Sequence, residues 1–136
     1  MTRFIAEHWE RTARYVWLGY ATFLFTMTHV PLPQRVAQAT STCDKSIHFV
    51  AFGLLAVLTV LAYRKIGTLF TILTLAIYCA FDEVLQGLVG RHPDIWDWYY
   101  DVGGVVTGVL MTQFVLMLFI EKPNWLPMSR SLSVTE

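Results

Sequence analysis

Residues 44–63 read DKSIHFVAFGLLAVLTVLAY, a run that keeps Asp44, Lys45 and His48 in its opening turns and is almost wholly apolar afterwards. A helix rises about 1.5 Å per residue, so some 20 residues cross about 30 Å of hydrocarbon. The run therefore reads as a membrane-spanning helix with its polar groups gathered at one end. Three further apolar runs flank it, at residues 15–30, 66–81 and 102–120. The third run ends in Asp82, Glu83 and Gln86, and the fourth is preceded by Asp97 and Asp101. The expectation is an all-α protein, a four-helix transmembrane bundle forming one domain over residues 1–136. The spans are expected at roughly residues 13–31, 45–64, 66–88 and 95–120, with a polar tail at about 128–136.

Composition supports the same class. Of 136 residues, 55% are hydrophobic and 15% charged, and the mean hydropathy is +0.49, more apolar than a soluble domain. The formal net charge of zero argues against nucleic acid as a partner and leaves the lipid bilayer as the expected one. Cys43 and Cys79 show no CxxC or Cys/His metal spacing, so a disulfide framework is not expected. Pro31 and Pro33 end the first run. Arg64, Lys65 and Gly67 leave so little loop that the second and third helices must pack antiparallel. Gly87, Gly90 and Pro93 separate the third from the fourth. A cleavable leader would be the rival reading of residues 15–30, since Ala37-Gln38-Ala39 resembles a cleavage site. Glu7 and Glu10 upstream, the length of the run and the two intervening prolines favour a first spanning helix instead.

Lys and Arg mark the cytoplasmic side of short loops. With both termini cytoplasmic, Arg3, Arg11, Arg14, Arg64, Lys65, Lys122 and Arg130 lie inside and only Arg35, Lys45 and Arg91 outside. Trp9, Trp17, Tyr63 and Trp125 then belong to one interface, and Trp96, Trp98, Tyr99 and Tyr100 to the other.

Helical rise turns the scattered polar residues into one candidate site at the outer interface. Asp44 and His48 share a helical face, as do Asp82 and Gln86, and Asp97 and Asp101. The face of Asp101 continues through Gly104 and Gly108, small residues that admit a neighbouring backbone or a second copy of the chain in a homodimer. Each group has an ordinary and a chemical reading. Asp44 at a helix start favours the macrodipole, or it orients His48 as an acid/base or metal ligand. Lys45 is a snorkelling cation or a contact for a lipid phosphate. Adjacent helical residues diverge by about 100 degrees, so Asp82 and Glu83 cannot both face lipid. They form a latch to Lys45 or Arg91, or serve as acid/base or cation-binding carboxylates. Gln86 reads as a hydrogen-bond partner for those carboxylates, and Arg91 as a bidentate contact for carboxylate or phosphate. Asp97 reads as a helix-start acid and Asp101 as the more inward of the pair. His29, His92 and Asp94 read as solvated or interfacial. Carboxylates that outnumber Lys45 and Arg91 invite a divalent cation, with His48, Asp82, Glu83 and Asp101 as its candidate ligands.

At this point the chain resembles the VanZ-like family of small membrane proteins. Asp44-Lys45-Ser46-Ile47-His48-Phe49 is similar to that family's DKxxHF signature, with Phe52 and Leu55 following. Asp82-Glu83-Val84-Leu85-Gln86 is similar to its DExxQ element, continued by Arg91, Asp97, Asp101 and Gly104. The segment between Gln86 and Arg91 is shorter than usual and lacks the family's Pro-Gly, and Asp101 stands where Asn is also common. The resemblance implies a bacterial cell-envelope protein with a role in resistance to teicoplanin-type glycopeptides, without a settled activity. A lipid-linked cell-wall precursor or an envelope protein is the implied partner. The alternative is a membrane enzyme acting on a phosphate-bearing lipid-linked precursor. No GxSxG, HExxH or P-loop signature accompanies it, and a lone chain without repeats is short for alternating access.

Overall fold

A computed structural model describes residues 2–30, 43–89 and 94–119. These form four helices, α1 (Thr2–His29), α2 (Asp44–Ala62), α3 (Thr68–Leu88) and α4 (Ile95–Phe119), and no strand occurs among the described residues. By length and composition α2, α3 and α4 can each cross a membrane. At 19, 21 and 25 residues they rise about 28, 32 and 37 Å. Helix α1, which is not among these three, begins well before its apolar run, ahead of the segment expected at 13–31. The reason is that helicity does not require apolarity: Glu10 and Arg14 pair across one turn at 3.5 Å on its exposed side.

Local chemistry sets the turns. Between α2 and α3 the Tyr63 N–H donates to Thr59 O and the Ile66 N–H to Tyr63 O, closing a tight reversal that makes the two helices antiparallel. Helix α4 starts at Asp94, whose Oδ1 accepts the Trp96 N–H at 3.0 Å, the usual role of an N-cap carboxylate.

Helices α2 and α4 make the most extensive contact in the bundle, and glycines allow it. A Cβ on Gly104 would collide with the Phe49 carbonyl oxygen, and one on Gly108 with that of Gly53. A Cβ on Gly53 would in turn meet Gly104 O at 3.3 Å. Without a hydrophobic driving force between helices in lipid, such close backbone approach lets dispersion hold them together. Of the two uses open to Gly104 and Gly108, the structure shows packing within the chain.

The core behind this seam comprises Leu24 of α1, Phe52, Leu55, Ala56 and Val60 of α2, Leu75 and Cys79 of α3, and Val105, Val109 and Leu116 of α4. Large apolar side chains also cover the outside: Leu69, Phe70, Leu73, Ile77, Phe81, Val84 and Leu88 on α3 are all exposed. Asp82 and Asp101, by contrast, are 1% and 0% exposed. An apolar exterior around buried charge inverts the soluble pattern and suits a lipid surround. Helix α1 docks through its aromatic residues. Trp17 Nε1 donates to Thr59 Oγ1 at 2.9 Å, and the Tyr20 hydroxyl donates to Ala51 O at 2.9 Å.

Candidate functional site

The up-and-down order of the helices brings the end of α1, the start of α2, the end of α3 and the start of α4 to the same end of the bundle. Helix α2 contributes His48, which is 8% exposed. Its Nδ1 lies 2.9 Å from Asp101 Oδ1 on α4. With an ionised carboxylate as partner, Nδ1–H is the donor, and Nε2 carries the lone pair when the ring is neutral. The ring is further held by stacking on Phe52, one helical turn inward, with centroids 6.3 Å apart.

A second group centres on Asp82 of α3. Its Oδ1 accepts from Thr28 Oγ1 of α1 at 3.0 Å, and its Oδ2 accepts from Gln86 Nε2 at 2.8 Å. His29 Nδ1 lies 3.7 Å from the same Oδ1 and 2.8 Å from Phe25 O. The neighbouring Glu83 turns elsewhere, and its Oε1 accepts the backbone N–H of Asp94 at 2.5 Å. That bond ties the last turn of α3 to the first of α4.

The third group is a surface clamp. Lys45 Nζ donates to Asp94 Oδ2 at 3.1 Å and to Asp97 Oδ1 at 3.3 Å, and lies 5.8 Å from the centre of the Tyr100 ring. The Asp94 carboxyl is held below the usual carboxylate range, first by the Trp96 N–H and then by Lys45.

Three placements refine the sequence expectation. Lys45 pairs with Asp94 and Asp97, because its helix start faces the start of α4; the expected latch from Lys45 to Asp82 or Glu83 does not form. Asp94, read as solvated or interfacial, is a cap and an ion-pair partner whose side chain is 42% exposed. His29, also read as solvated or interfacial, ends α1 and faces Asp82 with its side chain 13% exposed. Arg91 and His92 lie outside the described residues. Thr28 escaped sequence reasoning altogether. The signal was present, since Thr28 continues the stripe of Trp17, Tyr20, Ala21 and Leu24 that packs α1 against the core.

The His48, Asp101, Glu83, Asp97 and Asp44 side chains form one electrostatic neighbourhood: His48 senses Asp101, Asp97 and Asp44, and Glu83 senses Asp97 and His48. Asp44, His48 and Asp97 each present one donor atom within 4.8 Å of the others, a spacing compatible with a shared metal ion. Of the ligands expected from sequence, only His48 belongs to this group. Buried polar atoms also remain without a hydrogen-bond partner among the described residues: His29 Nε2, Glu83 Oε2 and Asp101 Oδ2. Buried polar atoms are rarely left so, because each costs about 1–3 kcal/mol.

Ionisable side chains drawn from several helices to one end of an apolar-surfaced bundle define an integral membrane protein with a buried polar site. A sequence model of the VanZ/LLP1 family matches residues 4–120, almost the whole helical region. The chain belongs to that family. No curated protein and no solved structure matches it.

Proposed function

We propose that the protein acts in the bacterial cell envelope, with all four helices spanning the cytoplasmic membrane, both termini in the cytoplasm and the polar end facing outward. There it binds a phosphate-bearing, lipid-linked cell-wall precursor, and in doing so lowers susceptibility to teicoplanin-type glycopeptides. The observation that carries this reading is the polar end itself: four helices converge on buried His48, Asp82, Glu83 and Asp101, yet leave acceptor atoms unsatisfied. Lys45 and the N-termini of α2 and α4 supply attraction for an anionic headgroup at the same end. Membership in the VanZ/LLP1 family supports a membrane protein of this kind, and the envelope context is what the resemblance noted in the sequence implies.

The test is teicoplanin susceptibility of a sensitive Gram-positive host expressing the chain. Wild type should raise the inhibitory concentration several-fold, and His48→Ala and Asp101→Asn, present in the membrane at equal level, should not. Unchanged protection by both variants would defeat the reading. Sidedness has its own check, because the Cys43 thiol is exposed beside the site and the Cys79 thiol is buried. A membrane-impermeant thiol reagent should label Cys43 in intact cells, and labelling only after lysis would reverse the topology.

One observation favours a second reading, that of a membrane enzyme acting on the same precursor. His48 oriented by a buried carboxylate at 2.9 Å is the arrangement of a general base. Purified protein in proteoliposomes should then release phosphate or pyrophosphate from a polyprenyl-linked substrate. Absence of release beside intact susceptibility effects would leave the binding reading alone.

A further inference from the structure

We propose that Asp44, His48 and Asp97 form a divalent-cation site of the Zn²⁺ or Mn²⁺ class, with Asp101 as the positioning residue that fixes the His48 ring. Three observations converge on it. The donor atoms of the three residues lie within 4.8 Å of one another, a spacing compatible with one shared ion. His48 is more than nine-tenths buried, and with Nδ1 bonded to Asp101 its Nε2 is the nitrogen left for a metal when the ring is neutral. Metal-ligating imidazoles are commonly held in this way, by a carboxylate on the other ring nitrogen. Finally, the carboxylates here retain unused oxygens. Lys45 engages only Oδ1 of Asp97, the Asp44 carboxylate takes no hydrogen bond among the described residues, and Glu83 Oε2 and Asp101 Oδ2 are buried without partners.

Charge points the same way. Among the described residues, Asp44, Asp82, Glu83, Asp94, Asp97 and Asp101 meet at this end, while the only lysine there, Lys45, is already shared between Asp94 and Asp97. A cation among Asp44, His48 and Asp97 offsets the excess where a low-dielectric surround makes it most costly. One imidazole with carboxylate oxygens is a borderline donor set, matching Zn²⁺ or Mn²⁺ better than the hard, oxygen-preferring Mg²⁺ or Ca²⁺. Two carboxylates and one imidazole also leave coordination positions open. A phosphate oxygen on an anionic lipid fills such a position, which reconciles an acidic site with an anionic ligand. The proposal rests on the reading of this end as a binding site and specifies how that site holds an anion.

The test uses the full-length protein in detergent micelles or nanodiscs with metal alone. Titration with Zn²⁺, Mn²⁺ and Co²⁺ should show one saturable site per chain. Co²⁺ should give visible d–d absorption, and bound Mn²⁺ a broadened paramagnetic resonance signal. His48→Ala and Asp97→Asn should each weaken binding at least tenfold. Asp101→Asn, acting through ring orientation, should weaken it about 10- to 100-fold while leaving the stoichiometry at one. Ser46→Ala, on the exposed side of the same turn, should bind as wild type does. Thermal unfolding of the metal-free variants reports folding, and the milder Asp44→Asn serves should His48→Ala fail to fold. Absence of a saturable site in the wild type, or affinity unchanged in both Asp97→Asn and Asp44→Asn, would overturn the proposal. Neither result involves antibiotic or lipid, so the metal site falls without the envelope function, and a failed susceptibility test leaves it standing.

Discussion

The two ends of the bundle treat buried polar groups in opposite ways. Towards the end where α2 runs into α3, hydroxyls are closed by their own helix: Thr59 donates to Leu55 O at 2.7 Å, Thr71 to Gly67 O at 3.1 Å and Thr112 to Gly108 O at 2.7 Å. Trp17 then caps Thr59 and meets the Tyr63 ring edge-on at 5.2 Å. At the other end, Asp82, His48 and Asp101 take their partners mainly from other helices, and buried atoms still stand unpaired. Polar groups that their own helix satisfies are compatible with any arrangement of neighbours. Groups that need several helices and remain incompletely paired are costly to keep, and that cost is the physical argument for function at this end.

The comparison breaks most sharply at His48. His48→Leu should leave the Asp101 carboxylate buried without its partner and destabilise the protein by about 3–5 kcal/mol. Replacing both, as His48→Leu with Asp101→Leu, should recover most of that loss, because an apolar pair of similar size has no charge to satisfy. Thermal unfolding in detergent measures both effects. If the double variant is stable and no longer alters teicoplanin susceptibility, the pair is retained for function.

The glycine seam joins the two ends and should fail next. Gly104→Ala forces a methyl onto the Phe49 carbonyl, an overpacking expected to cost about 1–3 kcal/mol or more. Its effect should appear as lowered thermal stability with both ends affected alike.

A matched pair of threonines sharpens the contrast. Thr28→Val removes a hydrogen bond to a buried carboxylate, worth about 1.5–3 kcal/mol, and should also disturb the site. Thr59→Val removes the acceptor of Trp17 and the hydroxyl's own bond to Leu55 O, each worth about 1 kcal/mol, and should leave susceptibility unchanged. Equal functional effects from the two would erase the distinction between the ends.

The smallest effect belongs to the clamp at the rim. The folded-state pKa of Asp94 is lowered, so its contribution is complete above the ordinary Asp value of 3.8 and is lost as pH falls through the lower folded-state value. Asp94→Asn should flatten the acid limb of a stability profile below about pH 4 and change little at neutrality. An unaltered acid limb would show that Lys45 and the α4 cap do not report through Asp94.

Much of this is legible in the sequence alone. Polar residues placed at the ends of apolar runs located the helices, and the short Arg64–Gly67 link made the second and third antiparallel. Position along each helix brought Asp44, His48, Asp82, Glu83, Gln86, Asp97 and Asp101 to one level. Pairing was not legible, because depth gives a residue's height along the bundle and says nothing of its direction around it. Asp82 and Glu83 are adjacent in sequence, yet one turns to α1 and the other to the start of α4. For the same reason Thr28 and His29, unremarkable at the end of the first apolar run, became neighbours of Asp82.

The sequence by itself determined an all-helical membrane protein of a recognisable family with its ionisable groups at one end, because hydropathy and helical rise are local properties of the chain. Only the tertiary structure decided which carboxylate meets His48, that Lys45 clamps α4, and that Gly104 and Gly108 are consumed within the chain. Those outcomes depend on the rotation of each helix about its axis, which is set by the closest fit of one backbone against another.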